Sequence, residues 1–279
     1  MKKIAIVPTL LTLGNGICGF AAIACASKIN PAESAENIQY FFALSGWLIF
    51  AAMIFDVFDG HVARLSKTAS KFGGELDSLC DAVSFGVAPA FLLLKMGPGW
   101  EPRPMLHQLV AGIATLYMVC TILRLARFNV ESTPDPASHK RFRGLPSPAA
   151  AGCLASLAVM RGQLPFRLTE IWPSTDELVL QDMVQRLIEA VAPVGAVLVA
   201  LLMVSLVPYP HAAKQIFRRK RRLSHVVQVL LAMGVLLLVR ELAVVAIFWG
   251  YALMIPIRNQ ILQLRQRELP APGFHDSLR

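Results

Sequence analysis

Four aspartates, Asp56, Asp59, Asp77 and Asp81, stand within a stretch of 26 residues, "DVFDGHVARLSKTASKFGGELDSLCD". The first two are three residues apart and the last two are four apart, so on helices each pair projects from one face. Asp56 and Asp59 close an apolar run, "YFFALSGWLIFAAMIF", and Asp77 and Asp81 open the next one. A short connection carrying Gly73 and Gly74 sets the two helix ends side by side, and the four carboxylates converge. Anions gathered beside a low-dielectric slab repel one another unless cations neutralise them. Oxygen ligands without a His or Cys cluster suit Mg or Mn rather than Zn. Four carboxylates can hold two such ions, the arrangement used for phosphoryl chemistry. Gly60 and Ala63 are small enough to admit a bulky phosphate group, and Arg64 can grip an anionic oxygen. Structural ion pairing and a proton relay are the other uses of intramembrane aspartates. Two pairs with Gly, Ala and Arg at set offsets favour metal and phosphate.

The elements that must position these residues are membrane helices. Of the 279 residues, 55% are hydrophobic and 16% are charged, and the apolar residues come in blocks of about twenty. The expected spans are 5–27, 40–59, 76–96, 106–125, 147–162 and 187–207. The block 226–257 is interrupted by Arg240 and Glu241 and would be about 48 Å long as one helix, against a hydrocarbon core of about 30 Å. It is therefore split at 240–241. The fold class is an all-α polytopic bundle of about eight spans with both termini cytoplasmic. Six core helices reach to about residue 210, an extra pair covers 224–258, and 261–279 is a flexible tail.

Charge supports that topology. With eight spans, Lys2, Lys3, Arg64, Lys67, Lys71, Arg124, Arg127, Lys140, Arg141, Arg143, Lys214 and the run "RRKRR" at 218–222 all fall on one side, which is the cytoplasmic side by the positive-inside rule. The net charge of +9 then reflects topology and phospholipid headgroups, and nucleic acid is excluded as a partner. Five single cysteines without CxxC spacing indicate neither a metal knuckle nor a disulfide framework. The segment 163–186, mixing Pro, Trp and acidic residues, is expected as an external amphipathic stretch.

The long aspartate stretch resembles the signature of the CDP-alcohol phosphotransferase family, DxxDGxxARx8GxxxDxxxD, at every fixed position: Asp56, Asp59, Gly60, Ala63, Arg64, Gly73, Asp77 and Asp81. The resemblance implies a membrane enzyme that moves a phosphatidyl-type group from a CDP-linked lipid to an alcohol and releases CMP. It also implies metal coordination by the aspartates, with Asp81 acting additionally as the base on the incoming hydroxyl. "LDSLCDAVSFGVAPA", "LRLARFNV" and "FRGLPSPAAAG" resemble the branch of that family that uses CDP-diacylglycerol and L-serine, placed in a bacterial cytoplasmic membrane with its active site facing the cytoplasm. Glycerol 3-phosphate and inositol phosphate are the rival acceptors, and a divalent cation transporter is the rival of another class. Relatives with this fold are commonly homodimers.

Serine brings a carboxylate that needs a cation. Among the basic residues on the aspartate side, Arg127, with Asn129 beside it, is the expected acceptor contact, unless these arginines only anchor a helix end at the headgroups. In "GNGICG" at 14–19 the small residues allow close helix packing, and Asn15 either contacts the nucleotide or makes an interhelical hydrogen bond. Ser70 follows Arg64 where relatives can use a hydroxyl for the nucleotide phosphates.

Overall fold

The computed structural model describes residues 6–65, 70–98, 104–131, 144–173, 176–207 and 240–268, with the side chains of Ala63, Arg64, Lys71, Glu131 and 259–268 outside that description. All the described elements are helical: α1 (Ile6–Ser27), α2 (Ala35–Leu65), α3 (Lys71–Asp81), a π-helical segment (Ala82–Val87), α4 (Ala88–Met96), α5 (Pro104–Glu131), α6 (Ser147–Ile171), α7 (Glu177–Val204) and α8 (Arg240–Glu268). Among the described residues, six stretches are long and apolar enough to cross a membrane: Ile6–Ser27, Ala35–Val62, Phe72–Met96, Pro104–Val130, Glu177–Val204 and Arg240–Arg258. The chain is a multi-pass helical bundle.

The helix missing from those six is the most enclosed. α6 packs against α2, α4, α7 and α8, and every residue from Ala150 to Met160 is buried. A helix shielded from lipid by protein has no need of an apolar surface all round, and small residues let its neighbours approach. A Cβ on Gly162 would strike the backbone of Gln39 and Ala43 on α2. The polar groups of α6 find protein partners: Ser156 donates to the carbonyl of Cys153 at 2.8 Å. Arg161 donates to the carbonyl of Met96 at 3.2 Å and lies 4.2 Å over the Phe42 ring. The chain enters α6 through Gly144 at φ 90°, a left-handed conformation that favours glycine. Its N–H donates to the carbonyl of Val207 at 2.8 Å, tying the start of α6 to the end of α7.

The third crossing is irregular for a local reason. Pro89 has no N–H, so the carbonyl of Phe85 loses its usual donor four residues on. The helix widens to π geometry over Ala82–Val87, directly after Asp81. The fully buried Tyr117 of α5 supplies the donor, its hydroxyl lying 3.0 Å from the carbonyl of Phe85. Ser84 in the same segment donates to the carbonyl of Asn15 at 2.9 Å. Irregular backbone at membrane depth is tolerated where protein re-satisfies it.

The stretch 163–186, read from the sequence as non-membrane, is mostly helix: α6 runs through it to Ile171 and α7 begins at Glu177. Asp176 caps α7 by accepting from the N–H of Leu178 at 2.9 Å, and the pair Asp182–Arg186 at 2.9 Å follows one turn later. Good caps and i,i+4 pairs extend helices past the apolar boundary. α8 begins at Arg240, where the apolar block 226–257 is divided in the sequence reading, and Glu241 is wholly buried in its first turn, where it accepts from Arg240 at 2.7 Å. The other half of the expected pair, the basic run at 218–222 and Lys140, Arg141 and Arg143 lie outside the described residues. α8 continues through 261–268 of the expected tail.

Tyr117→Phe keeps the ring and leaves the buried Phe85 carbonyl without a donor, so it should destabilise the fold by about 1–3 kcal/mol. A lowered thermal midpoint in detergent with the secondary structure retained is the expected result; an unchanged midpoint would show that the π turn needs no such partner.

Candidate active site

α1 creates the corner in which the site forms. Its buried residues Thr12, Asn15, Gly19, Ala22 and Ala26 follow one face at helical spacing. Gly14, Gly16 and Gly19 lie so close to Phe55, Cys80 and Ser84 that a Cβ on any of them would press into α2, α3 or the π segment. The packing expected of "GNGICG" is what the structure has, and it carries Asn15 into the interior.

On that corner the ends of α2 and α3 meet. Asp56, Asp59 and Asp77 each present a carboxylate oxygen, and the three oxygens lie within 4.8 Å of one another. Asp59 is buried and the other two are half-buried. Asp59 Oδ2 and Asp77 Oδ1 are buried without a hydrogen-bond partner. Thr12 neighbours Asp59, an approach legible in retrospect from the 12, 15, 19 spacing on α1. Two unit charges 4 Å apart repel by about 4 kcal/mol at an effective dielectric near 20. Three ionised carboxylates here therefore call for a bound cation. Hard oxygen donors with two partnerless oxygens already turned inward fit a divalent ion of the Mg or Mn class.

Asp81 stands apart from that trio. It is buried, and its Oδ1 accepts from Asn15 Nδ2 at 2.8 Å. Asn15 thus makes an interhelical hydrogen bond. The bond fixes one oxygen of Asp81 and sets its orientation.

The remaining expected residues divide. Gly60 continues α2 beyond Asp59, while the side chains of Ala63 and Arg64 lie outside the described residues. Ser70 caps α3, its hydroxyl accepting from the N–H of Gly73 at 3.0 Å. Asn129 donates to Ser78 at 2.9 Å, linking α5 to α3 beside Asp77. Arg127 is half-buried on the last turns of α5. Arg124, one turn earlier, is a cation within electrostatic reach of both Asp56 and Asp81, and its Nη1 donates to Ser147 at 2.6 Å. The sequence placed Arg124 on the aspartate side without distinguishing it from its neighbours, because Ser147 comes from another helix.

Comparison with known proteins agrees with this geometry. A family model described as CDP-alcohol phosphatidyltransferase matches residues 5–175. A Helicobacter pylori protein named CDP-diacylglycerol–serine O-phosphatidyltransferase is 32% identical over 255 residues, 91% of this chain and 90% of that protein. Proteins of the same name from Bacillus subtilis and Saccharomyces cerevisiae are each 36% identical over 155 residues. The first match covers 54% of this chain and 75% of the relative, and the second 53% and 51%.

A divalent ion seated among the three carboxylates should stabilise the folded chain by mass action. Adding Mn should raise the thermal midpoint of the purified protein, and Asp59→Asn or Asp77→Asn should remove most of that rise. Equal rises in both variants would show that the ion binds elsewhere.

Proposed function

Since the chain belongs to the CDP-alcohol phosphatidyltransferase family, we propose that it transfers the phosphatidyl group of CDP-diacylglycerol to the hydroxyl of L-serine, forming phosphatidylserine and CMP. The observation that carries this reading is the division of labour among four buried or half-buried aspartates. Three share one small volume, and the fourth stands beside them with an oxygen held by Asn15.

In this reading Asp56, Asp59 and Asp77 would hold Mg or Mn, with Asp81 at the edge of the same site. Bound there, two divalent ions would offset the charge of the substrate diphosphate and of the departing CMP. Gly60 and Ala63 leave room for the phosphates, Arg64 grips an anionic oxygen, and Ser70, while capping α3, faces the nucleotide side. Asp81 accepts the proton of the serine hydroxyl. The oxygen so freed attacks the phosphorus that bears diacylglycerol, the bond from that phosphorus to the CMP oxygen breaks, and CMP carries off the electron pair. Asn15 keeps Asp81 aimed at the hydroxyl. Arg127 and Asn129 border the acceptor side from α5. The acyl chains stay in lipid between the helices.

The same reading has eight spans, both termini and the site in the cytoplasm, a bacterial inner membrane, and a homodimer. Helix direction supports the span count. α7 ends at Val204, and Val207 just after it accepts from Gly144 at the start of α6, whereas α8 starts at Arg240, whose partner Glu241 lies near Arg167 at the far end of α6. Residues 208–239, which end in the apolar stretch 226–239, come between those two ends in the sequence and are long enough for one more crossing.

The test is CMP release from CDP-diacylglycerol by the purified protein. L-serine with Mg or Mn should support release and chelation should stop it, whereas glycerol 3-phosphate and inositol should support little. Asp81→Asn should lower turnover roughly 100-fold or more while keeping the Mn-induced rise in thermal midpoint. Robust turnover by that variant would reject Asp81 as the base, and metal flux without CMP release would favour a transporter.

A further inference from the structure

Along the inner face of α5, Tyr117, Thr121 and Arg124 follow at spacings of four and three. Tyr117 donates to the Phe85 carbonyl, and the Thr121 hydroxyl lies 3.0 Å from the carbonyl of Tyr117. Arg124 differs from both. Its guanidinium has five N–H donors, and one nitrogen bonds the Ser147 hydroxyl at 2.6 Å. Asp56 and Asp81 lie within its electrostatic reach, yet it forms no direct ion pair with a carboxylate among the described residues. Arg124 lies on α5 between Tyr117, which bonds Phe85, and Asn129, which bonds Ser78, and so stands beside the helix that carries Asp81; a half-buried guanidinium braced at one corner there is built to take a planar anion side-on.

A second observation comes from the last helix. α8 is seated by two rings: a Cβ on Gly152 would strike the Phe248 ring, and one on Gly195 would strike Trp249. Trp249 Nε1 donates to the carbonyl of Cys153 at 3.1 Å. The next residue but one, Tyr251, is half-buried and within electrostatic reach of Arg124. The matched family region ends at residue 175, so Tyr251 lies outside it.

We propose that Arg124, braced by Ser147 and flanked by Tyr251 of the last helix, binds the carboxylate of the amino-acid acceptor. This rests on the reading of L-serine as acceptor and assigns its orientation: hydroxyl at Asp81, carboxylate at Arg124. The last helix thereby completes the acceptor pocket as well as packing against α6 and α7. An acceptor without a carboxylate gains nothing from Arg124, so the residue sets specificity.

The test compares L-serine with serinol, which keeps the hydroxyl and amine and lacks the carboxylate, as acceptors for CMP release. The unaltered protein should prefer serine. Arg124→Gln should raise the KM for serine about tenfold or more, erase the preference over serinol, and leave the KM for CDP-diacylglycerol near its starting value. Arg124→Lys keeps the charge and loses the fork; it should fall between the two and serves if the Gln variant does not fold. Tyr251→Phe should raise the KM for serine a few-fold with little change in kcat. An equal loss with both acceptors, or a raised KM for CDP-diacylglycerol, would overturn the assignment and place Arg124 with the diphosphate. Absence of CMP release with serine in the unaltered protein would instead reject the acceptor itself.

Discussion

Negative charge confined at one end of an apolar bundle is the constraint on which the rest of this structure depends. Three carboxylate oxygens within 4.8 Å of one another are tolerable in a low-dielectric setting when cations share the space. That requirement accounts for the chemistry of the surroundings. Two inward oxygens have no protein partner, the nearby Arg124 stops short of a direct ion pair, and Asn15 holds the one aspartate that stands aside.

Close backbone approach is what creates the confined space. α1 reaches α3 through Gly16 and the π segment through Gly19, and α6 reaches α2 through Gly162, at positions where any side chain would collide. The π turn after Asp81 follows from Pro89, and the buried hydroxyl of Tyr117 satisfies the carbonyl that Pro89 leaves open. Site and scaffold are thus coupled: the helix carrying Asp77 and Asp81 holds its irregular course because α1 and α5 supply hydrogen-bonding groups to it.

The last helix shows how an element beyond the matched family region can enter the chemistry. Its Phe248 and Trp249 sit where α6 and α7 carry glycine, and its wholly buried Glu241 faces Arg167 and Arg240 at the opposite end of the bundle. These contacts seat the first part of α8 against the bundle, and Tyr251, two residues after Trp249, is half-buried there.

Much was legible in the linear order. Spacings of three and four put Asp56 with Asp59 and Asp77 with Asp81, and blocks of about twenty apolar residues marked the lipid-crossing helices, because both signals are local periodicities. α6 was found at its start but runs past 162, and the helical character of 163–186 was not read, because a hydropathy boundary marks where lipid ends while caps and ion pairs decide where a helix ends. The bond from Asn15 to Asp81, the brace from Ser147 to Arg124, and the selection of Arg124 from a row of similar basic residues were decided only by the tertiary structure. Each joins residues of different helices, and the identity of such a partner is set by how closely two backbones pack, a quantity that no spacing along one chain segment encodes.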